Sequence, residues 1–151
     1  MLITIEKVIM LQEIDVFEQL TTEDLAQLAS IAQEVEFPPD CVIYSEGSPP
    51  DSMYLVIEGR VLLHQGQKEV LIAGEKDMFG TWALFEDEPR VVTATALEQS
   101  RLLRIDKEDF IDLLADNVRI TRGILEALVQ RMRRLMGLVK RRDMESEYSA
   151  S

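Results

Sequence analysis

The sequence holds one cysteine, one histidine and one tryptophan, and only 6% of its residues are aromatic. A lone Cys41 excludes an intrachain disulfide and points to a reducing compartment, so a cytoplasmic location is expected. Within the apolar stretch Cys41–Tyr44 that cysteine reads as a buried structural residue rather than a reactive thiol. A single His64 cannot supply the several imidazoles of a metal-centred β-barrel enzyme, and with one distant cysteine it defines no nucleophile and base. No phosphate loop of the nucleotide hydrolases occurs. An enzyme, a bound metal and a resident cofactor are therefore not expected. The longest apolar run, Met53–Ile57, is too short to cross a bilayer, so membrane insertion is not expected. Residues 1–13 include Glu6, Lys7 and Glu13 and lack a secretory-signal pattern.

Positive charge is scarce in most of the chain. Residues 1–100 carry five cations and nineteen acids, whereas residues 101–142 carry eleven cations and six acids. Asp143, Glu145 and Glu147 then bring the net charge of the 151 residues to −12. So acidic a body is a poor binder of duplex DNA or anionic lipid. The step in charge marks an acidic body joined to a basic helical end.

Leu2, Ile5 and Ile9 follow helical spacing and predict a helix ending near Leu11. Thr21 and Asp24 predict a capping box, opening a helix with Leu25, Leu28 and Ala29 on one face. From there to Asp106 the texture is short β-type runs separated by turn residues. The runs are Val35–Phe37, Cys41–Tyr44, Met53–Ile57, Arg60–His64, Glu69–Ala73, Val91–Ala96 and Arg101–Ile105. The pattern predicts an antiparallel sandwich or barrel of jelly-roll type. After it, Asp106–Asp109 should cap a helix carrying Phe110, Leu113 and Leu114, and a long helix should run from about Val118 towards Arg142. The fold class expected is mainly β (α+β). Helices over 1–33, a jelly roll over 34–106 and C-terminal helices over 107–142 form one domain, and 143–151 is a disordered polar tail. Leu125, Leu128, Met132, Leu135 and Val139 alternate spacings of three and four. That stripe either packs on the chain's own barrel or pairs with a second copy; a homodimer is the favoured reading, with Ile120 and Ile124 facing the barrel.

Met78–Ala96 is the most informative segment. Thr81–Phe85 could form a helical turn, Gly80 lets the backbone approach a ligand, and the free amides at the start of that turn favour an anion. Pro89-Arg90 then places a guanidinium, whose planar fork suits phosphate, at the start of the next strand. The competing reading pairs Arg90 with Glu86, Asp87 or Glu88 as a surface ion pair.

With these residues in view, the chain resembles the cyclic nucleotide-binding domain family, of the catabolite activator protein and protein kinase A regulatory subunit type. The resemblance covers about residues 12–136. It rests on Phe17 and Leu20, Glu46-Gly47, Asp51, Tyr54–Val61, Phe79-Gly80-x-x-Ala83-Leu84 with Pro89-Arg90, Leu102–Ile105 and Phe110. It implies an eight-stranded jelly roll that binds cAMP or cGMP at Phe79, Gly80, Thr81, Trp82, Ala83, Leu84, Pro89, Arg90, Val91 and Val92. It also implies signalling through the C-terminal helix. Two positions depart from the pattern. Thr81 stands where the family has a glutamate for the ribose hydroxyl, a loss of about 1.5–3 kcal/mol. Val91 stands where a small residue is usual. Trp82 replaces an aliphatic residue and could fill the sugar space, form a stacking wall or join the core. The phosphate half of the site is kept and the ribose half altered, so a reduced or changed ligand preference is expected. The alternative is a degenerate module kept for dimerisation or docking. Direct sequence-specific DNA binding needs about 60 further residues with a recognition helix and is not expected from this chain, which reads as one piece of a larger protein.

Overall fold

The computed structural model describes residues 1–150, with side chains as far as Leu138. Helix α1 (Thr4–Leu11) forms, but it buries Val8 and Leu11 and leaves Ile5 and Ile9 exposed. The inward stripe also contains Lys7, whose Nζ donates to the Ala32 carbonyl at 2.7 Å. A lysine can occupy this side because its stem lies inward while its head reaches a carbonyl. A short 3-10 turn, Asp15–Phe17, seats Phe17 in the core. Helix α2 (Thr22–Ile31) opens on the expected capping box: the Asp24 amide donates to Thr21 Oγ1 at 3.2 Å and the Thr21 amide to Asp24 Oδ2 at 3.4 Å. It ends directly in a strand, because Ala32 is already extended.

Eight strands follow: β1 (Ala32–Phe37), β2 (Val42–Tyr44), β3 (Ser52–Glu58), β4 (Val61–Gln65), β5 (Lys68–Ala73), β6 (Met78–Phe79), β7 (Thr93–Ala96) and β8 (Ser100–Asp106). They form two four-stranded antiparallel sheets, ordered β1-β8-β3-β6 and β2-β7-β4-β5. Alternation along β3 shows how the layers meet. Met53 and Leu55 join a core with Leu11, Phe17, Leu28 and Phe110, while Tyr54 and Val56 join Val61, Leu63, Phe79 and Leu102 in a second core. Ser52–Val56 is therefore buried throughout. Cys41 is half-buried rather than buried, because it sits on the turn before β2 and not inside the strand.

Helix α3 (Lys107–Asp116) starts after Asp106, but that carboxylate makes no capping bond; it accepts from Arg104 Nε at 2.6 Å instead. Asn117 leaves helical geometry, and α4 (Val118–Ala150) begins behind it. Ile120 and Ile124 of α4 are buried in the helix-side core, and Ala127 is buried as well. A Cβ on Gly123 would lie 2.7 Å from Leu20 Cδ2, so that glycine permits the close approach of α4. Leu128 is half-buried against the same core, whereas Leu125, Met132 and Leu135 are all more than half exposed. Val139 lies outside the residues whose side chains are described; the backbone of α4 runs on to Ala150, through residues 143–150 where a disordered tail was expected.

Candidate functional site

β6 presents Phe79 to the inter-sheet core, where its ring stacks on Tyr54 at 5.3 Å and 14°. Gly80 then adopts a left-handed conformation, φ 73°, which turns the chain into the 3-10 turn Thr81–Leu84. Two constraints converge on this glycine. A Cβ there would strain the backbone and would lie 2.8 Å from Arg90 Nη1.

Arg90 sits on the loop before β7. Its backbone is clamped to the β2–β3 turn, with its amide donating to the Ser48 carbonyl at 2.9 Å and its carbonyl accepting from Gly47 at 2.8 Å. The side chain points inward and is 5% exposed. One terminal nitrogen donates to the Ser52 carbonyl at 2.6 Å, and Asp51 lies 3.6 Å away. The guanidinium carbon stands 4.0 Å over the Tyr44 ring. The Arg90 Nε is buried and has no hydrogen-bond partner. The surface ion pair with Glu86, Asp87 or Glu88 is not formed. Asp87 accepts from Lys107 and the Glu86 carbonyl from the same ammonium, which leaves Arg90 to the interior. Arg101 Nε is likewise buried without a hydrogen bond, but it has Glu34 at 3.8 Å and faces no cavity lined by it.

Arg90 borders a cavity of about 400 Å³. Phe79, Gly80, Thr81, Trp82, Ala83 and, past the loop, Pro89, Val91 and Val92 also line it. Leu84 does not: it is 3% exposed within the helix-side core, because the 3-10 turn rotates it away from the cavity. Trp82 is 61% exposed, so it neither joins the core nor plugs the hollow. It stands at the cavity edge with the Arg131 guanidinium of α4 5.8 Å from its ring. Sequence reading missed Tyr44, Val70, Leu71 and Arg131 as lining residues. For Val70 and Leu71 a signal existed: Val70-Leu71-Ile72 is an unbroken apolar run rather than an alternating one, and all three prove exposed. Nothing local marked Tyr44. Burial pushes its phenol above the usual range and the neighbouring Arg90 pulls it partly back, so the hydroxyl stays protonated at neutral pH.

A second, larger groove of about 680 Å³ lies by the start of α3, but its cations are paired, Arg104 with Asp106 and Lys107 with Asp87. Among the described residues no cluster of three or more His, Cys, Asp or Glu could hold a metal ion, and no helix is long and apolar enough to cross a membrane.

The cyclic nucleotide-binding domain model matches residues 34–117, which contain every residue lining the cavity except Val16 and Arg131. Among curated proteins, the chain is 31% identical over 124 residues to a CRP-like cAMP-activated global transcriptional regulator of Mycobacterium tuberculosis, covering 79% of this chain and 55% of that one. It is 30% identical over 125 residues to a cAMP-dependent protein kinase regulatory subunit of Hypocrea atroviridis, covering 83% of this chain and 25% of the relative. The chain thus spans about half the length of the first and a quarter of the second. Among solved structures, the N-terminal domain of a transcriptional regulator from Streptomyces coelicolor A3(2) superposes with a TM-score of 0.78 at 27% identity, covering 86% of this chain and 94% of that one. With a sandwich of this order, an inward arginine beside a left-handed glycine, and a family match over more than half its length, the chain belongs to the cyclic nucleotide-binding domain family.

Proposed function

We propose that the chain is a regulatory module that takes a cyclic nucleotide, cAMP or cGMP, in the cavity beside Arg90 and passes the event to α4. The observation that carries this reading is the buried Arg90, whose Nε has no partner and whose neighbours leave a hollow in front of it. A desolvated cation with an open donor is costly, and a phosphate is the group that repays it. The phosphate would lie against Arg90 and the Thr81 and Trp82 amides that open the turn, and the base along Val70, Leu71 and Trp82. Arg131 beside Trp82 gives α4 a physical link to the ligand. The interleaved strand order supports reading the sandwich as a jelly roll. The exposed Leu125, Met132 and Leu135 support pairing of α4 with a second copy. The chain acts as a non-catalytic sensor, and its output lies in another segment or partner.

The test is thermal or denaturant unfolding with and without 1 mM cAMP or cGMP, about a thousandfold excess over a micromolar site. Such a site adds about 4 kcal/mol of stability, and Arg90→Ala abolishes the gain. No gain with either nucleotide overturns the sensor reading and leaves a scaffold that keeps the fold for dimerisation or docking.

A further inference from the structure

We infer that Tyr44 is a second anion-binding residue of the cavity, its hydroxyl donating to an oxygen of the phosphate that Arg90 holds. This rests on the phosphate-site reading above and adds a residue to it.

Four observations lead there. The pairing of β2 with β7 slips between Val42 and Tyr44, so that Val42 faces Thr95 and Tyr44 faces Ala94. A bulge of this kind re-aims a side chain, and here it sends the ring inward while Val42 stays exposed. The ring lies beneath the Arg90 guanidinium at 4.0 Å and tilts against Tyr54 and Phe79 at 6.2 and 6.1 Å, which fixes its plane. The hydroxyl lies 3.5 Å from the point a Gly80 Cβ would occupy, the same point that Arg90 Nη1 approaches to 2.8 Å. Phenol and guanidinium therefore converge on the space that the glycine leaves free. Finally, this hydroxyl is unlike its neighbour. The Tyr54 phenol is held by Ser52 Oγ at 3.3 Å, whereas among the described residues nothing hydrogen-bonds the Tyr44 phenol, which lines the cavity.

A phosphodiester brings charge and acceptors but no proton, so it rewards donors only. Arg90 supplies a charged donor and Tyr44 a neutral one from a second direction. With Thr81 where a carboxylate would face the sugar, the site has shed an acceptor and kept a phenol donor, which shifts recognition from ribose to phosphate.

The experiment is calorimetric titration of the full chain with cAMP, with cGMP in parallel, comparing wild type, Tyr44→Phe and Tyr44→Leu. Each protein is also titrated with the two diastereomers of the nucleotide in which one exocyclic phosphate oxygen is sulfur. Tyr44→Phe keeps the ring under Arg90 and removes only the donor. It should weaken binding about five- to tenfold and change the ratio of the two diastereomer affinities by about threefold or more. Tyr44→Leu should lose more, through Arg90. A purely structural role would lower both diastereomers equally. Tyr44→Phe binding within twofold of wild type, or weaker with an unchanged ratio, overturns this inference alone. A wild-type chain that binds neither nucleotide overturns the site itself, and the inference with it.

Discussion

Two arginines divide the molecule by what they leave unfinished. Arg119, at the start of α4, reaches across to α2 and donates to Asp24 Oδ1 from Nε at 3.1 Å and from a terminal nitrogen at 2.8 Å. There the acid is buried and the cation exposed, 3% against 64%. Arg90 is the reverse, 5% exposed beside an Asp51 that is 71% exposed, with its buried Nε unpartnered. In the first pair the buried group has all the partners it needs, from Arg119 and from the Thr21 amide. In the second the buried group has fewer. A structural ion pair satisfies its desolvated member within the chain, whereas a binding site keeps an open valence for something that arrives later.

The largest expected effect lies in the finished pair. Asp24→Ala removes a capping side chain and a buried acceptor together and should cost about 2–3 kcal/mol, read by denaturant unfolding, while leaving nucleotide affinity unchanged. Its charge also sets an acid limit. Burial raises the Asp24 carboxyl, but hydrogen bonds from Arg119 and Thr21 outweigh this and hold it below the usual carboxylate range. A group lowered in the folded state contributes fully above its unfolded value of about 3.9, and the contribution is lost as pH falls through the lower folded value. Unfolding followed downward from pH 5 should therefore show a loss beginning below about pH 4, shallower in Asp24→Asn. Equal slopes in both proteins would deny the pair that role.

Next in size is Gly80→Ala. The left-handed backbone costs about 1–2 kcal/mol with a Cβ, and the 2.8 Å approach forces Arg90 aside. Unlike Asp24→Ala, this change should destroy the gain in stability from nucleotide as well. Arg90→Ala sharpens the contrast further. It gives up the bond to Ser52 but also removes an orphaned buried donor, so the unliganded protein should lose about 1 kcal/mol or less. A loss as large as that of Asp24→Ala would make Arg90 a structural cation.

The same contrast explains what could be read in advance. The Asp24 cap was legible because its partner Thr21 lies three residues away, and most strands were legible because alternation and turn residues are local. The cassette was legible as a pattern through Phe79-Gly80 and Pro89-Arg90. Which way Arg90 would turn was not, since Glu86, Asp87 and Glu88 were nearer in sequence than Ser52 or Tyr44; Lys107, far along the chain, decided it by taking Asp87. The spacing of Leu2, Ile5 and Ile9 located α1 but not its buried side, where Lys7 reaches a carbonyl; Leu84 came from the family pattern, and the 3-10 turn carries it into the helix-side core. Tyr44 was invisible because its aim depends on a bulge set by pairing with β7, some fifty residues on.

The smallest expected effect concerns the contact between Trp82, at the cavity edge, and the long helix. Arg131 stands 5.8 Å from the Trp82 ring, and Trp82 is 61% exposed, so in water their attraction is worth about 0.5 kcal/mol. Arg131→Ala should leave the unliganded stability almost unmoved. Its importance would be conditional: if α4 responds to the ligand through this pair, the effect of the variant appears only when nucleotide is added. Trp82 is the only tryptophan in the chain, so its fluorescence reports on the cavity edge without interference. Nucleotide should shift the emission of the wild-type protein, and Arg131→Ala should reduce that shift while changing affinity less than Arg90→Ala. The same shift in both proteins would mean that α4 is not coupled through Trp82, leaving the buried contacts of Ile120 and Ile124, which bind the helix to the core, as its route to the site.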